Sequence, residues 1–180
     1  MLDKLMTGSH DLPKSMPPIL QDLVTYWLGV IEKVGNIPQL NEISLMDIHK
    51  LAPRMFIGDR IVEDSGGIRY RWRYWGTQLS AFADADLSGK YLDETHNEQA
   101  CATAIEHYEW SLNTGKPCYL RQNISIVDTH KGYKDYQRVI VPLANKSGQP
   151  AHILGVYVSD HENVWYNQEY TKNMDKVYLP

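Results

Sequence analysis

IRYRWRYWGTQL, residues 68–79, carries three arginines and four aromatic residues in its first eight positions, followed by a Gly-Thr pair. Successive side chains of a β-strand point to opposite faces, so this stretch predicts a strand with two different faces. The first face is predicted to hold Ile68, Tyr70, Trp72 and Tyr74. The second is predicted to hold Arg69, Arg71, Arg73 and Trp75. Gly76 and Thr77 then mark the change from strand to helix.

The arginine face has three interpretations. It can meet solvent, the N-terminal helix or cross-strand carboxylates such as Asp59 and Glu63, and this is the interpretation we favour. Its guanidinium groups, together with Arg138 or Arg121, could instead hold a phosphate or carboxylate ligand through paired hydrogen bonds. A nucleic-acid surface is the third, and the formal net charge of −4 argues against it.

A cyclic-dinucleotide site is a further alternative for the same arginines. Arg69 and Arg73 fit the first half of such a motif, whose second half reads D-x-S-x-x-G. After Asp86 and Ser88, Gly89 stands two positions too early. We therefore reject this assignment.

The segments around the strand predict an α+β fold. PPILQDLVTYWLGVIEKVG (17–35) has apolar residues at helical spacing, and a short helix capped by Ser44 is expected before Pro53. A hairpin at 54–75, short helices, a long helix up to Gly115 and a three-strand meander follow. We expect a five-stranded antiparallel sheet with helices on one face and an N-terminal helical extension.

The N-terminal helix has an apolar stripe that includes Trp27. The stripe can pack on the chain's own sheet or on the same helix of a second copy, and either arrangement satisfies it. A homodimer through this helix therefore stays open beside packing within one chain.

Motifs for catalysis or metal binding are missing from the sequence. There is no G-x-S-x-G, H-E-x-x-H, P-loop or G-x-G-x-x-G pattern, and Cys101 and Cys118 form no CxxC pair. We expect both cysteines to be reduced and structural. No signal peptide or apolar run of membrane-spanning length is present, so we expect a cytoplasmic protein that is not an enzyme and does not enter a membrane.

Four local motifs resemble the N-terminal half of stand-alone bacterial PAS-domain proteins. They are WLGVIEKVGNIP (27–38), ISLMDIHKLAP (43–53), FIGDRIVE (56–63) and IRYRWRYWGTQL (68–79). DLSGKYLDE (86–94) and the meander RVIVPLANKSGQPAHILG (138–155) resemble the parts that follow. The resemblance covers about residues 20–160 and implies a PAS-like sensory fold.

The order of segments along the chain also suggests how it is divided. We expect a flexible lead-in, a helical extension, a PAS-like domain and a C-terminal tail, at 1–15, 16–53, 54–160 and 161–180. Little chain remains for a fused output module. A signal is therefore expected to leave through dimerisation or a partner.

The leading hypothesis is a non-enzymatic sensory domain that binds a small molecule in a cavity lined by aromatic residues. Its predicted ligand-binding residues are Tyr70, Trp72 and Tyr74 on the sheet, His107 and Trp110 on the facing helix, and Arg138 as the anchor of an anionic group. The cofactor is unknown, and His107 as a haem ligand is a less favoured alternative.

Two further hypotheses remain. The first is a protein–protein interaction module of the same fold with a filled core and no ligand. The second is an α+β enzyme with a basic pocket, which would need a His–Asp pair closer than about 3.5 Å inside a cavity.

Overall fold

The computed structural model describes residue 13 and residues 16–125, 133–159 and 176–178. The predicted lead-in therefore lies outside the described residues except for Pro13, and the predicted tail lies outside them except for 176–178. No helix in the described ranges is long and apolar enough to cross a membrane.

The described strands form one antiparallel sheet. They are β1 (Met55–Val62), β2 (Ile68–Trp75), β3 (Cys118–Ser125), β4 (Tyr133–Ala144), β5 (Pro150–Ser159) and β6 (Lys176–Tyr178). The strand order is β2-β1-β5-β4-β3-β6, and every pairing is antiparallel. The hairpin and the meander are confirmed, and β6 adds a short sixth strand to the five predicted.

The helices cover both faces of this sheet. They are α1 (Pro18–Val34), α2 (Thr77–Ala83), α3 (Leu92–Thr95) and α4 (Glu98–Thr114). One buried cluster joins α1 to the sheet, and a second joins α2, α3 and α4 to the opposite face. We call these the α1 face and the α4 face. The helices that were predicted on one face of the sheet lie on the α4 face. The predicted N-terminal extension, which contains α1, covers the opposite face of the sheet.

Helix α1 packs on its own sheet. Proline at its first position has the backbone geometry of a helix start, and Gly35 ends the helix at a φ of +78°, a conformation that favours glycine. Leu20, Leu23 and Trp27 are fully buried, and the Trp27 indole N–H donates to the carbonyl of Pro142 at 2.9 Å. The stripe is therefore occupied by the sheet and is not available to the same helix of a second copy. Homodimerisation itself stays a prediction.

The short helix predicted from Ser44 is replaced by turns. Three-residue 3-10 helices at Leu40–Glu42 and Ala52–Arg54 flank this segment. The amide of Leu51 donates to the carbonyl of Ile48 at 2.8 Å, a three-residue hydrogen bond rather than the four-residue bond of an α-helix. Ile48 and Leu51 are nevertheless buried against the α1 face. Their apolar spacing thus reflects burial and not an α-helix.

Candidate functional site

A β-bulge in β2 decides which aromatic residues face the helices. Trp72 lies opposite Gly58 and Tyr74 lies opposite Ile57, so Arg73 is an extra residue between the two pairs. The predicted alternation holds through Trp72 and fails after it. Tyr74 consequently packs on the α1 face, whereas Trp75 joins Trp72 on the α4 face with ring centroids 4.9 Å apart.

This bulge corrects the predicted position of Tyr74. Its hydroxyl donates to the carbonyl of Ala52 at 3.0 Å, on the side of the sheet away from α4. Trp75, predicted on the arginine face, takes its place beside Trp72. The aromatic wall of the α4 face therefore contains Trp75 and not Tyr74.

The arginines of β2 are held by carboxylates. Arg73 lies 2.8 Å and Arg71 3.7 Å from the carboxylate of Asp59 across the hairpin. Arg69 lies 3.4 Å from Glu63 and 2.9 Å from Asp93. The expected pairing with cross-strand carboxylates is confirmed.

Asp59 is the buried centre of this ion-pair group. The imidazole Nδ1 of His152 lies 2.8 Å from the Asp59 carboxylate. Burial by itself raises the pKa of Asp59, but hydrogen bonds from His152 and Arg73 outweigh burial and hold the pKa below its ordinary value. This His–Asp pair lies on the α1 face, where Arg71 and Arg73 also hold the carboxylate. Its 2.8 Å separation meets the distance that the enzyme hypothesis sets, and the pocket that this hypothesis also requires stays a prediction.

Aromatic rings line the α4 face. The Phe56 and Trp72 rings meet edge to face with centroids 5.5 Å apart, and Tyr108 of α4 lies 6.4 Å from Trp72. Gly155 on β5 lies directly under Phe56, where a side chain would overlap the ring. The indole Nε1 atoms of Trp72 and Trp75 are buried and have no hydrogen-bond partner among the described residues.

Arg138 places a buried positive charge at this face. It is 7% exposed, and its guanidinium donates to the Tyr108 hydroxyl at 3.1 Å and to Nδ1 of His107 at 3.2 Å. It also donates to Tyr136 and lies 5.0 Å from the centroid of the Tyr108 ring. Within the described ranges, no acidic side chain forms an ion pair with Arg138.

The neighbours of Arg138 are uncharged at neutral pH. Burial raises the pKa of Tyr108 to about 12 and that of the Cys118 thiol to about 12, and burial also raises the pKa of Tyr136. His107 accepts a hydrogen bond from the guanidinium at Nδ1, because an arginine can only donate, and its ring is therefore not doubly protonated. Arg138 and these neighbours together therefore carry one positive charge, which is that of the guanidinium.

An ion pair between Arg60 and Glu109 holds α4 against the sheet. The Arg60 guanidinium donates two hydrogen bonds to Glu109 of α4, at 2.8 and 2.9 Å. Glu109 also accepts a 2.6 Å hydrogen bond from the Tyr70 hydroxyl. The phenol of Tyr70, predicted as a ligand contact, is therefore already bonded to the helix.

The structure brings together four of the six predicted site residues and places a fifth at their edge. Tyr70, Trp72, His107 and Arg138 are buried at the α4 face, and Trp110 packs there partly buried. Sequence reasoning did not select Phe56, Trp75, Tyr108 and Tyr136. Period-two alternation from Arg138 would have found Tyr136, and four-residue helical spacing from Ala104 and Leu112 would have found Tyr108. No local signal identifies Trp75, because its orientation depends on the bulge.

The described part of the chain contains no cluster of three or more His, Cys, Asp or Glu side chains that could hold a metal ion. Cys101 and Cys118 are both buried and free of disulfide bonds, as expected.

Solved structures similar to this chain include three from light-oxygen-voltage proteins. A light-oxygen-voltage domain studied with a flavin analogue has a TM-score of 0.44 and 15% identity, covering 71% of this chain and 87% of that chain. An RNA-binding light-oxygen-voltage receptor has a TM-score of 0.42 and 12% identity, covering 84% of this chain and 36% of that chain. The light-state structure of the blue-light photoreceptor Aureochrome1 LOV has a TM-score of 0.41 and 11% identity, covering 71% of this chain and 92% of that chain.

No curated protein matches the chain significantly. A family model described as PAS domain matches residues 16–158, which include α1, the helices of the α4 face and strands β1 to β4 with most of β5. The chain therefore belongs to the PAS domain family.

Proposed function

We propose that this PAS domain is a sensor that binds a small molecule at the α4 face and transmits the signal through dimerisation or a partner protein. Arg138 would anchor an anionic group of the ligand. Phe56, Trp72 and Trp75 would form the aromatic wall. This set keeps the predicted Arg138 and Trp72 and replaces Tyr74 by Trp75.

The observation that carries this proposal is the buried guanidinium of Arg138 without a carboxylate among the described residues. Moving a cation out of water costs several kcal/mol, and hydrogen bonds to neutral groups recover only part of that free energy. Buried charges in proteins are normally paired with an opposite charge or bound to a metal, so stability alone does not explain an unpaired guanidinium. A charge that does not serve stability is a candidate for binding, and the natural complement of a guanidinium is an oxyanion.

The burial of Arg138 also suggests how binding produces a signal. A ligand reaches the guanidinium only when the helices of the α4 face move away from the sheet. A ligand that binds the opened arrangement more tightly shifts the population towards it. The helix α4, tied to β1 by the Arg60–Glu109 pair, is the element whose position such a ligand would change.

The arginines of β2 support the expectation that the protein binds no nucleic acid. Arg71 and Arg73 share the carboxylate of Asp59, and Arg69 is paired with Glu63 and Asp93. Paired guanidiniums have less charge to offer to phosphates than free ones.

The experiment is native mass spectrometry of the purified protein followed by a thermal-shift screen of anionic, neutral and cationic metabolites. We expect a bound mass or at least one compound that raises Tm further as its concentration increases. Hydrogen exchange of α4 in the presence of that compound should then change. No bound mass and no stabilising compound would contradict ligand binding and leave the interaction module with a filled core as the better description.

A further inference from the structure

The unsatisfied groups of the α4 face are hydrogen-bond donors. Tyr108 and Tyr136 accept from Arg138 through their hydroxyl oxygens, so each keeps its own O–H proton for a further acceptor. The Nε1 groups of Trp72 and Trp75 have no partner among the described residues. A buried donor without an acceptor costs about 1–3 kcal/mol, so this face favours a ligand that brings acceptor oxygens.

The charge of the site limits the charge of the ligand. Arg138 supplies one positive charge, and the pKa values of Tyr108, Tyr136 and Cys118 keep these neighbours neutral. A carboxylate brings one negative charge and two oxygens, which match the planar fork of a guanidinium. A phosphate ester brings more charge than Arg138 can compensate, and the excess would be buried unpaired.

The surroundings of Arg138 favour an aromatic ligand. The Tyr108 ring centroid lies 5.0 Å from the guanidinium carbon of Arg138 and 6.4 Å from the ring centroid of Trp72. Trp72 in turn meets Phe56 and Trp75. Aromatic rings prefer edge-to-face or offset contacts with one another, so a ring attached to the carboxylate would continue this network.

We infer that the ligand is an aromatic monocarboxylate, with its carboxylate on Arg138 and the hydroxyls of Tyr108 and Tyr136, and its ring against Trp72. This inference rests on the proposed function and narrows it to one chemical class.

The test compares four probes by isothermal titration calorimetry and by Tm. Phenylacetate carries the ring and the single charge, phenylacetamide keeps the ring without the charge, butyrate keeps the charge without the ring, and phenyl phosphate adds charge. We expect phenylacetate to bind at least about tenfold more tightly than each of the other three, because one lost ion pair or ring contact corresponds to roughly that factor.

Substitutions of arginine locate the site. Arg138→Met removes the charge at similar length and should abolish the preference for phenylacetate over phenylacetamide. Arg138→Lys keeps the charge without the planar fork and should keep part of that preference. Arg71→Met, which removes an exposed guanidinium from the α1 face, is the matched control and should bind as the unchanged protein does. Circular dichroism confirms that each variant is folded.

Phenylacetamide or phenyl phosphate binding as tightly as phenylacetate would overturn the inference. An undiminished preference in folded Arg138→Met would do so as well. If Arg138→Met does not fold, the test relies on the relative affinities of the four probes for the unchanged protein and on their affinities for Arg138→Lys. If other compounds of the broad screen bind and phenylacetate does not, the inference of an aromatic monocarboxylate is wrong and the proposed function stands. If no compound binds at all, both the inference and the proposed function are wrong.

Discussion

Replacing Glu109 by glutamine tests whether the ion pair with Arg60 fastens α4 to the sheet. The glutamine amide would keep an oxygen for the Tyr70 hydroxyl, so Glu109→Gln removes mainly the charge. Exposed ion pairs contribute about 0.2–1 kcal/mol, and breaking a buried pair costs about 3–5 kcal/mol. The side chains of Arg60 and Glu109 are 27% and 19% exposed, which places this pair between those limits. We expect Glu109→Gln to lower the free energy of unfolding by about 2 kcal/mol, and Tm by about 4–8 °C.

A double-mutant cycle isolates the pair from other effects of each substitution. Urea unfolding at pH 7 is measured for the unchanged protein, Glu109→Gln, Arg60→Met and the double variant. We expect a coupling free energy of about 1–2 kcal/mol. The matched control is the cycle of Glu63→Gln and Arg69→Met, which removes a more exposed pair with a separation of 3.4 Å and should give less than about 0.5 kcal/mol.

Acid should weaken the Arg60–Glu109 coupling. Burial by itself raises the pKa of Glu109, but the hydrogen bonds from Arg60 and Tyr70 outweigh it and hold the pKa below its ordinary value. A carboxylate with a lowered pKa in the folded state stabilises fully above the unfolded pKa of about 4.3, and that contribution is lost as pH falls through the folded value. Equal couplings in the two cycles at pH 7, or an Arg60–Glu109 coupling unchanged between pH 7 and pH 3, would refute the reasoning.

Five further changes test the fold by urea unfolding. Gly76→Ala should lower the free energy of unfolding by about 2 kcal/mol, because a Cβ there would overlap the carbonyls of the preceding 3-10 helix. Gly29→Ala should raise it by about 0.5–1 kcal/mol, because Gly29 lies within α1 and has open space around it. Trp27→Phe should cost about 1–3 kcal/mol through the lost buried indole hydrogen bond, and Asn97→Ala about 1 kcal/mol through the lost cap of α4. Asp59→Asn should flatten the loss of stability below pH 4, because the lowered pKa of Asp59 makes its contribution vanish as acid protonates it. The role given to Gly76 is wrong if the two glycine substitutions have equal effects. The roles given to Trp27 and Asn97 are wrong if their substitutions leave the free energy of unfolding unchanged, and the role given to Asp59 is wrong if Asp59→Asn leaves the pH dependence unchanged.

Most of the elements and the fold class could be predicted from the sequence because their causes are local. Pro18 and Gly35 bound α1 through backbone geometry alone. The hairpin around residues 64–67 follows from two glycines between alternating strands. The arginines of β2 had carboxylates at suitable cross-strand positions, so their pairing followed from the hairpin itself.

The tertiary structure decided which side chains meet. Tyr74 and Trp75 exchange faces because the bulge at Arg73 depends on register with β1, which no periodicity within β2 can reveal. The α1 stripe suited two partners equally, and only the packed sheet selected one. The sequence contains several arginines of the same chemistry, and burial without a carboxylate among the described residues distinguishes Arg138 from those of β2. Propensity and spacing act within a segment, whereas register, burial and charge pairing arise between segments far apart in the chain.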